Sequence, residues 1–203
     1  MIITVASFKG GVGKTTTAIH IAAYLASRRG SGIVILADGD NNRSALSWSI
    51  RGGNRIPFTV CDGDDQPGDF NHLVIDTPAR TEPDELIPLA ESSDLLIVPT
   101  TISLFALEPA IATLDTLSTL SDDRYRILLT MLPRGYKREK IAREALQEKG
   151  LAVFKSGIKQ RPHDAFGESE LEGVPVNQLR SEAAAAAWSD YKNLGQEIMK
   201  GRK

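Results

Sequence analysis

The segment Lys9-Gly10-Gly11-Val12-Gly13-Lys14-Thr15-Thr16 constrains this chain more than any other. It follows a short apolar, β-branched run (Ile2–Ser7) and leads into Thr15–Arg29, where Ile19, Ala22, Ala23 and Ala26 recur at helical spacing. Gly30 and Gly32 end that helix. A strand, a glycine-rich turn and a helix in immediate succession let several backbone N–H groups converge on one point. The positive end of the helix dipole is aimed at the same place. Such a turn is a cradle for phosphate, in which Lys14 can reach the outer phosphates of a nucleotide and the Thr15 hydroxyl can ligate Mg2+. The general pattern would put its first glycine at position 8, where this chain has Phe8; it offers instead a second lysine, Lys9.

The rest of the chain alternates strands and helices. Ile33–Ala37 is uniformly apolar, as a strand covered on both faces must be, and Leu73–Ile75, Leu95–Val98 and Ile127–Met131 repeat the signature. Helical stretches are expected at Asp84–Glu91, Leu107–Leu120 and Lys137–Glu148, then a weaker strand at Ala152–Phe154 and an alanine-rich helix over Ser181–Lys200. A short strand at Phe58–Val60 sits inside a Gly-, Asp- and Pro-rich excursion over residues 52–69. This order predicts one α/β domain over residues 1–203, a mostly parallel β-sheet flanked by helices on both faces. In such a sheet ligands sit at the carboxyl ends of the strands. Lys9–Thr16, Asp38–Asp40 after the second apolar run, Asp76–Pro78 after the third, Pro99–Thr101 and the segment after Met131 are therefore the residues to read. The paired Asp38 and Asp40 suit a metal's water shell and an attacking water; they also suit a turn capping the helix that begins near Ser44.

Composition narrows the classes. The single cysteine, Cys61, excludes an internal disulfide framework, a cysteine-based zinc site and an Fe–S cluster held by one chain. No run of 18 apolar residues occurs, and the start Met-Ile-Ile-Thr-Val lacks the pattern of a secretory signal, so a cytoplasmic protein is expected. His20, His72 and His163 are scattered without metal-ligand spacing and read as packing or surface residues. The net charge of −2 is unevenly spread: residues 60–123 carry 1 base against 14 acids, and residues 134–161 carry 9 bases against 3 acids. The second segment is either a solvated helix face or a local face for a polyanion.

Lys-Gly-Gly-Val-Gly-Lys-Thr-Thr resembles the deviant Walker A motif of the ParA/MinD family of ATPases, and the resemblance extends over essentially the whole chain. It implies the P-loop NTPase fold, with ATP and Mg2+ as cofactors and a homodimer formed around two bound nucleotides. Residues Lys9, Gly10, Gly11, Val12, Gly13, Lys14, Thr15 and Thr16 would then bind nucleotide, with Lys9 reaching the partner subunit's ATP. Asp40 would orient the attacking water, Asp76 in Leu73-Val74-Ile75-Asp76-Thr77-Pro78 would stand as the Walker B carboxylate, and Thr15, Asp38 and Asp76 would serve Mg2+. Adenine would sit at the end of Ile127–Met131, against Met131, Pro133 and Pro162. The chain departs from the family at Asn41 and Asn42, where Pro and Gln are usual, and at Ala79. No guanine-selective Asn-Lys-x-Asp element occurs, which favours ATP.

Within the family, two cysteines per chain would be needed for a cluster-bearing iron protein. A MinD-like membrane tail is disfavoured because Asn193–Lys203 offers only Leu194, Ile198 and Met199 as apolar anchors, without Trp or Phe. The small ParA-type partition and positioning ATPases remain. The resemblance to them implies nonspecific DNA binding in the ATP state, nucleoid association, and a small adaptor, centromere-binding or cargo protein that stimulates hydrolysis. The positioned object would be a plasmid, a chromosome locus or a protein cargo. Candidate DNA contacts are Arg134, Lys137, Arg138, Lys140, Arg143, Lys192, Lys200, Arg202 and Lys203. A metabolic ligase of dethiobiotin-synthetase type is the alternative, and it would have no use for Lys9.

Overall fold

A computed structural model of the chain describes residues 1–79, 81–102, 117, 120–121, 123–133, 135–161 and 165–201. Its elements run β1 (Ile2–Val5), α1 (Lys14–Ala26), β2 (Val34–Asp38), α2 (Ser44–Gly52), β3 (Thr59–Asp62), β4 (His72–Asp76), α3 (Leu86–Glu91), β5 (Leu95–Thr101), β6 (Tyr125–Leu132), α4 (Tyr136–Glu148), β7 (Val153–Lys159), α5 (Ala165–Glu172) and α6 (Glu182–Lys200). Single 3-10 turns occupy Gly53–Arg55, Pro83–Glu85 and Val176–Gln178. The seven strands form one sheet in the order β3-β2-β4-β1-β5-β6-β7, every pairing parallel. The expected mostly parallel sheet is therefore present, with β7 longer than its apolar residues suggest. The helix expected at Leu107–Leu120 falls outside the described residues apart from Leu117 and Leu120.

The central strands read as uniform apolar runs because both of their faces are covered. On one face Ile19, Leu25, Trp48, Leu194 and Ile198 join Ile3, Leu36, Val74 and Ile97 in one buried cluster. On the other, Leu86, Leu117 and Leu146 join Leu96, Val98, Ile127 and Leu129. Each such side chain, fully buried, contributes roughly 1.5–3 kcal/mol. Register then aligns the strand ends that matter. Asp38 pairs with Asp76 across β2 and β4, and Val5 pairs with Asp76 across β1 and β4, so the glycine-rich turn and both carboxylates emerge side by side.

Helix α1 is fastened to α6 through an aromatic cluster. The His20 ring stacks on Tyr191 at 4.6 Å and meets Phe166 edge-on at 5.5 Å. Nδ1 lies 2.7 Å from the Thr16 carbonyl oxygen, and Nε2 accepts from Val176 N at 3.2 Å. Both nitrogens are thus used by the neutral, Nδ1-protonated ring. Burial lowers the His20 pKa from 6.5 to about 4, the Thr16 carbonyl opposing it. Because the unfolded chain takes up this proton at the higher pH, folding loses stability as pH falls from about 6.5 through 4, by up to about 3 kcal/mol. Urea midpoints at pH 7 and pH 4.5 should therefore converge in His20→Gln relative to the unsubstituted protein. An unchanged pH slope would contradict the assignment.

Candidate nucleotide site

The turn between β1 and α1 has the shape its glycines allow. Gly11 and Gly13 have φ of +75° and +85°, the left-handed region that glycine adopts without strain. A Cβ at Gly10, Gly11 or Gly13 would meet no atom within 4 Å, so this concave backbone has room for a group lying close against it. Thr15 and Thr16 are half-buried at the start of α1, while Lys9 is exposed at the rim of the turn. Val12 is buried, and its carbonyl accepts a 2.8 Å hydrogen bond from Thr130 Oγ1 at the end of β6. Thr130 was not legible in the sequence as part of the site; it pins the turn from a strand two places away in the sheet.

Lys14 is only 8% exposed, and its ammonium is surrounded by acceptors: Asp76 Oδ1 at 2.9 Å, Asp40 Oδ2 at 3.4 Å and the Thr77 carbonyl. The chain segments that follow β1, β2 and β4, three of the strand ends singled out in the sequence, are thus brought to one point. Burial pushes the Asp76 carboxyl above its ordinary range, and Asp38 adds to this; Lys14 and the Thr15 hydroxyl pull the other way. Asp76 Oδ2 is buried and, among the described residues, has no hydrogen-bond partner. An orphaned carboxylate oxygen beside a threonine hydroxyl is a donor set suited to a hard divalent cation such as Mg2+.

Asp40 belongs to a tight acidic turn. Its Oδ1 accepts from Asn42 N at 2.9 Å and Asn42 Nδ2 at 3.0 Å. Burial alone would raise the Asp40 carboxyl, but the Asn42 donors and Lys14 hold it below its ordinary value. Asn42, one of the departures from the family pattern, therefore buttresses this carboxylate. Asp38 is fully buried, and both of its oxygens are engaged: Oδ1 by Asp40 N at 3.2 Å and Oδ2 by Leu46 N, in the first turn of α2, at 2.9 Å. The helix-capping role open at the outset is real for Asp38, alongside its position next to Asp76.

A cavity of about 330 Å³ opens between Gly13 and Thr16 on one side and Met131, Ile158, Phe166 and Tyr191 on the other. Its size and largely apolar wall suit a planar base. Met131 is 45% exposed and holds φ of +49°, an unusual backbone for a non-glycine residue that presents it at the cavity. Pro133 is half-buried beyond β6 and is not among the residues lining the cavity; Pro162 lies outside the described residues. Phe166 and Tyr191 were missed because they come from α5 and α6, far along the chain and without a motif of their own.

The basic candidates are not equivalent. Arg143 is committed to Glu139 Oε1 at 2.8 Å and to the Phe154 carbonyl, and Lys140 lies 3.7 Å from Glu144. Lys137, Arg138, Lys192 and Lys200 are exposed. Arg134, Arg202 and Lys203 lie outside the described residues. No helix among the described residues is long and apolar enough to cross a membrane.

Residues 3–176 match the CobQ/CobB/MinD/ParA nucleotide binding domain. The chain is 31% identical over 206 residues to Maintenance of carboxysome distribution protein A of Gloeobacter kilaueensis, covering 97% of this chain and 93% of that protein. In fold it is similar to a plasmid partition protein from Borrelia burgdorferi bound to AMPPNP, with a TM-score of 0.72 at 19% identity over 98% of both chains. It is also similar to the septum site-determining protein MinD of Pyrococcus horikoshii complexed with Mg-ADP, with a TM-score of 0.66 at 20% identity over 98% of this chain and 96% of that one. The glycine-rich turn, the buried lysine between two strand-end carboxylates and the parallel sheet thus agree with the sequence match, and the chain belongs to the CobQ/CobB/MinD/ParA family of nucleotide-binding proteins.

Proposed function

We propose that the chain is a single-domain ATPase that dimerises around two Mg·ATP, binds DNA without sequence preference in that state and positions a cargo. The observation that carries this reading is the convergence of Lys14, Asp40 and Asp76 beneath a glycine-rich turn that also presents the exposed Lys9. Backbone N–H groups of Lys9–Thr16 bind the phosphates, and Lys14 with the partner subunit's copy of Lys9 neutralises charge developing on the transferring phosphoryl group. Asp40, kept ionised by its neighbours, orients the attacking water. Thr15 and Asp76 hold Mg2+, which when bound offsets negative charge on the phosphate oxygens, and Asp38 holds the Asp40 turn in register with α2. The base lies against Met131 and Phe166.

The relative at 31% identity is named for carboxysome distribution. That favours a protein assembly over a plasmid or chromosome locus as cargo, with a small adaptor protein stimulating hydrolysis on a nucleoid-bound dimer. For DNA, Lys137, Arg138, Lys192 and Lys200 are the available phosphate contacts, and dimerisation doubles them, which gives affinity a direct dependence on ATP. The test is the mass of the protein in solution with Mg·ATP, with Mg·ADP and without nucleotide. A dimer in ATP alone, lost in Lys9→Ala, is expected. A monomer with ATP in both proteins would overturn the reading and favour a ligase-type site complete in one chain.

A further inference from the structure

Helices α2 and α5 are joined at their C-terminal ends, where side chains of α2 and of the turn after it reach the backbone of α5, while a cavity of about 340 Å³ lined by Ser44, Trp48, Phe166 and Gly167 lies between their N-terminal halves. Trp48 Nε1 donates to the Ser169 carbonyl at 3.0 Å, Arg51 Nε to the Glu170 carbonyl at 3.0 Å, and Arg55 Nη2, in the 3-10 turn after α2, to the Glu172 carbonyl at 2.5 Å. Where these rungs end, the two backbones touch: a Cβ on Gly52 would lie 2.0 Å from the Gly173 carbonyl oxygen. Close packing of that kind resists sliding, so these rungs and the Gly52–Gly173 contact are what could carry a displacement of one helix to the other.

Each helix of the pair faces a different part of the candidate site. At the α5 end, Phe166 lines the base cavity and packs edge-on against His20 and Tyr191. At the α2 end, Leu46 N is held by Asp38, and the turn carrying Asp40 leads directly into the helix. The junction is Arg43, whose φ of +48° is unusual for a residue with a side chain and is held by its guanidinium on the Asp38 carbonyl, Asp62 and Asp64. Arg43 is the residue between the loop and the helix, so any rotation of α2 relative to the turn has to be absorbed there against these three contacts.

We propose that the α2–α5 pair couples the base cavity to the Asp38–Asn42 turn, with Trp48 and Arg51 as the positioning residues that join the two helices. This rests on the nucleotide-site reading above and extends it: the base, and not the phosphates alone, sets the turn that carries Asp40. A nucleobase bearing on Phe166 shifts α5, the rungs carry the shift into α2, and the turn follows about Arg43. An equilibrium can be moved this way only by a ligand that contacts one end differently in two arrangements.

Hydrogen–deuterium exchange of the full chain with Mg·ATP and with Mg·tripolyphosphate, which lacks base and ribose, separates the two kinds of contact. Both should protect the first turn of α1. Only ATP should add protection over residues 38–46, about tenfold in exchange rate. In Trp48→Phe, which keeps an aromatic side chain but removes the indole N–H with its five-membered ring, and in Arg51→Ala, an exposed site, that added protection should vanish while protection of α1 remains. Arg51→Lys should restore part of it. Equal protection of residues 38–46 by both ligands, or added ATP protection that survives in both variants, overturns the coupling. Failure of either ligand to protect α1 would instead overturn the nucleotide-site reading itself.

Discussion

Lys14→Ala should lower stability by about 3–5 kcal/mol near neutral pH, the usual cost of leaving a buried carboxylate without its partner. The size follows from where the ammonium lies, 2.9 Å from a fully buried Asp76 and 3.4 Å from Asp40. The pH dependence has a definite sign. Burial already raises the Asp76 carboxyl, and removing Lys14 takes away its main opposing charge. The folded variant then keeps a proton that the unfolded chain has released, so its stability is greatest below the ordinary carboxylate pKa and falls as pH rises through the raised one. Urea unfolding at pH 5 and pH 8 should show the larger loss at pH 8. On the proposed reading hydrolysis should fall at least about 100-fold as well, since a charge-stabilising donor is lost. Equal stability losses at the two pH values would contradict the buried-pair account.

Gly52→Ala is the second large effect, and two principles disagree about its sign. Gly52 has φ −73° and ψ −34°, ordinary helical values, so propensity alone predicts a gain of about 1 kcal/mol. The added Cβ, however, would stand 2.0 Å from the Gly173 carbonyl oxygen and 2.8 Å from Ile56 Cδ1. The isoleucine end can turn away; the carbonyl belongs to the backbone of a residue with φ +66° and cannot. Overpacking typically costs 1–3 kcal/mol and more when backbone must move, so a loss of about 3 kcal/mol is expected, near 10 °C in Tm for a chain of this size. Gly53→Ala is a useful contrast, since its Cβ meets nothing within 4 Å and only its φ of +54° is unfavourable. A Gly52→Ala protein as stable as the parent would show that the two helices do not meet this closely.

How much of this was legible depended on whether the cause was local. The Lys9–Thr16 turn could be read because glycine, lysine and threonine at those offsets carry the geometry themselves. Asp38 and Asp76 could be read because an apolar strand delivers its last residue to the sheet's carboxyl edge. Helix α5 could not: Ala165–Glu172 reads AFGESELE, has no helical apolar period, and leaves Leu171 81% exposed. Its partner α2 was visible only as a possible start near Ser44, because what holds it is contact with α5. Thr130 and Tyr191 reach the site only through the sheet order and the α1–α6 packing. The basic segment shows the converse, since Arg143 and Lys140 look free in sequence until the helical spacing places Glu139 and Glu144 beside them.

The central claim is ATP-switched DNA binding by the dimer, and duplex DNA of arbitrary sequence tests it most directly. Binding should be measured at two salt concentrations with Mg·ATP, with Mg·ADP and without nucleotide. The account predicts binding in ATP alone that weakens steeply with salt, as phosphate contacts by Lys137, Arg138, Lys192 and Lys200 require. Protein that binds ATP yet shows no affinity for DNA in any state, or equal affinity in all three, would contradict it.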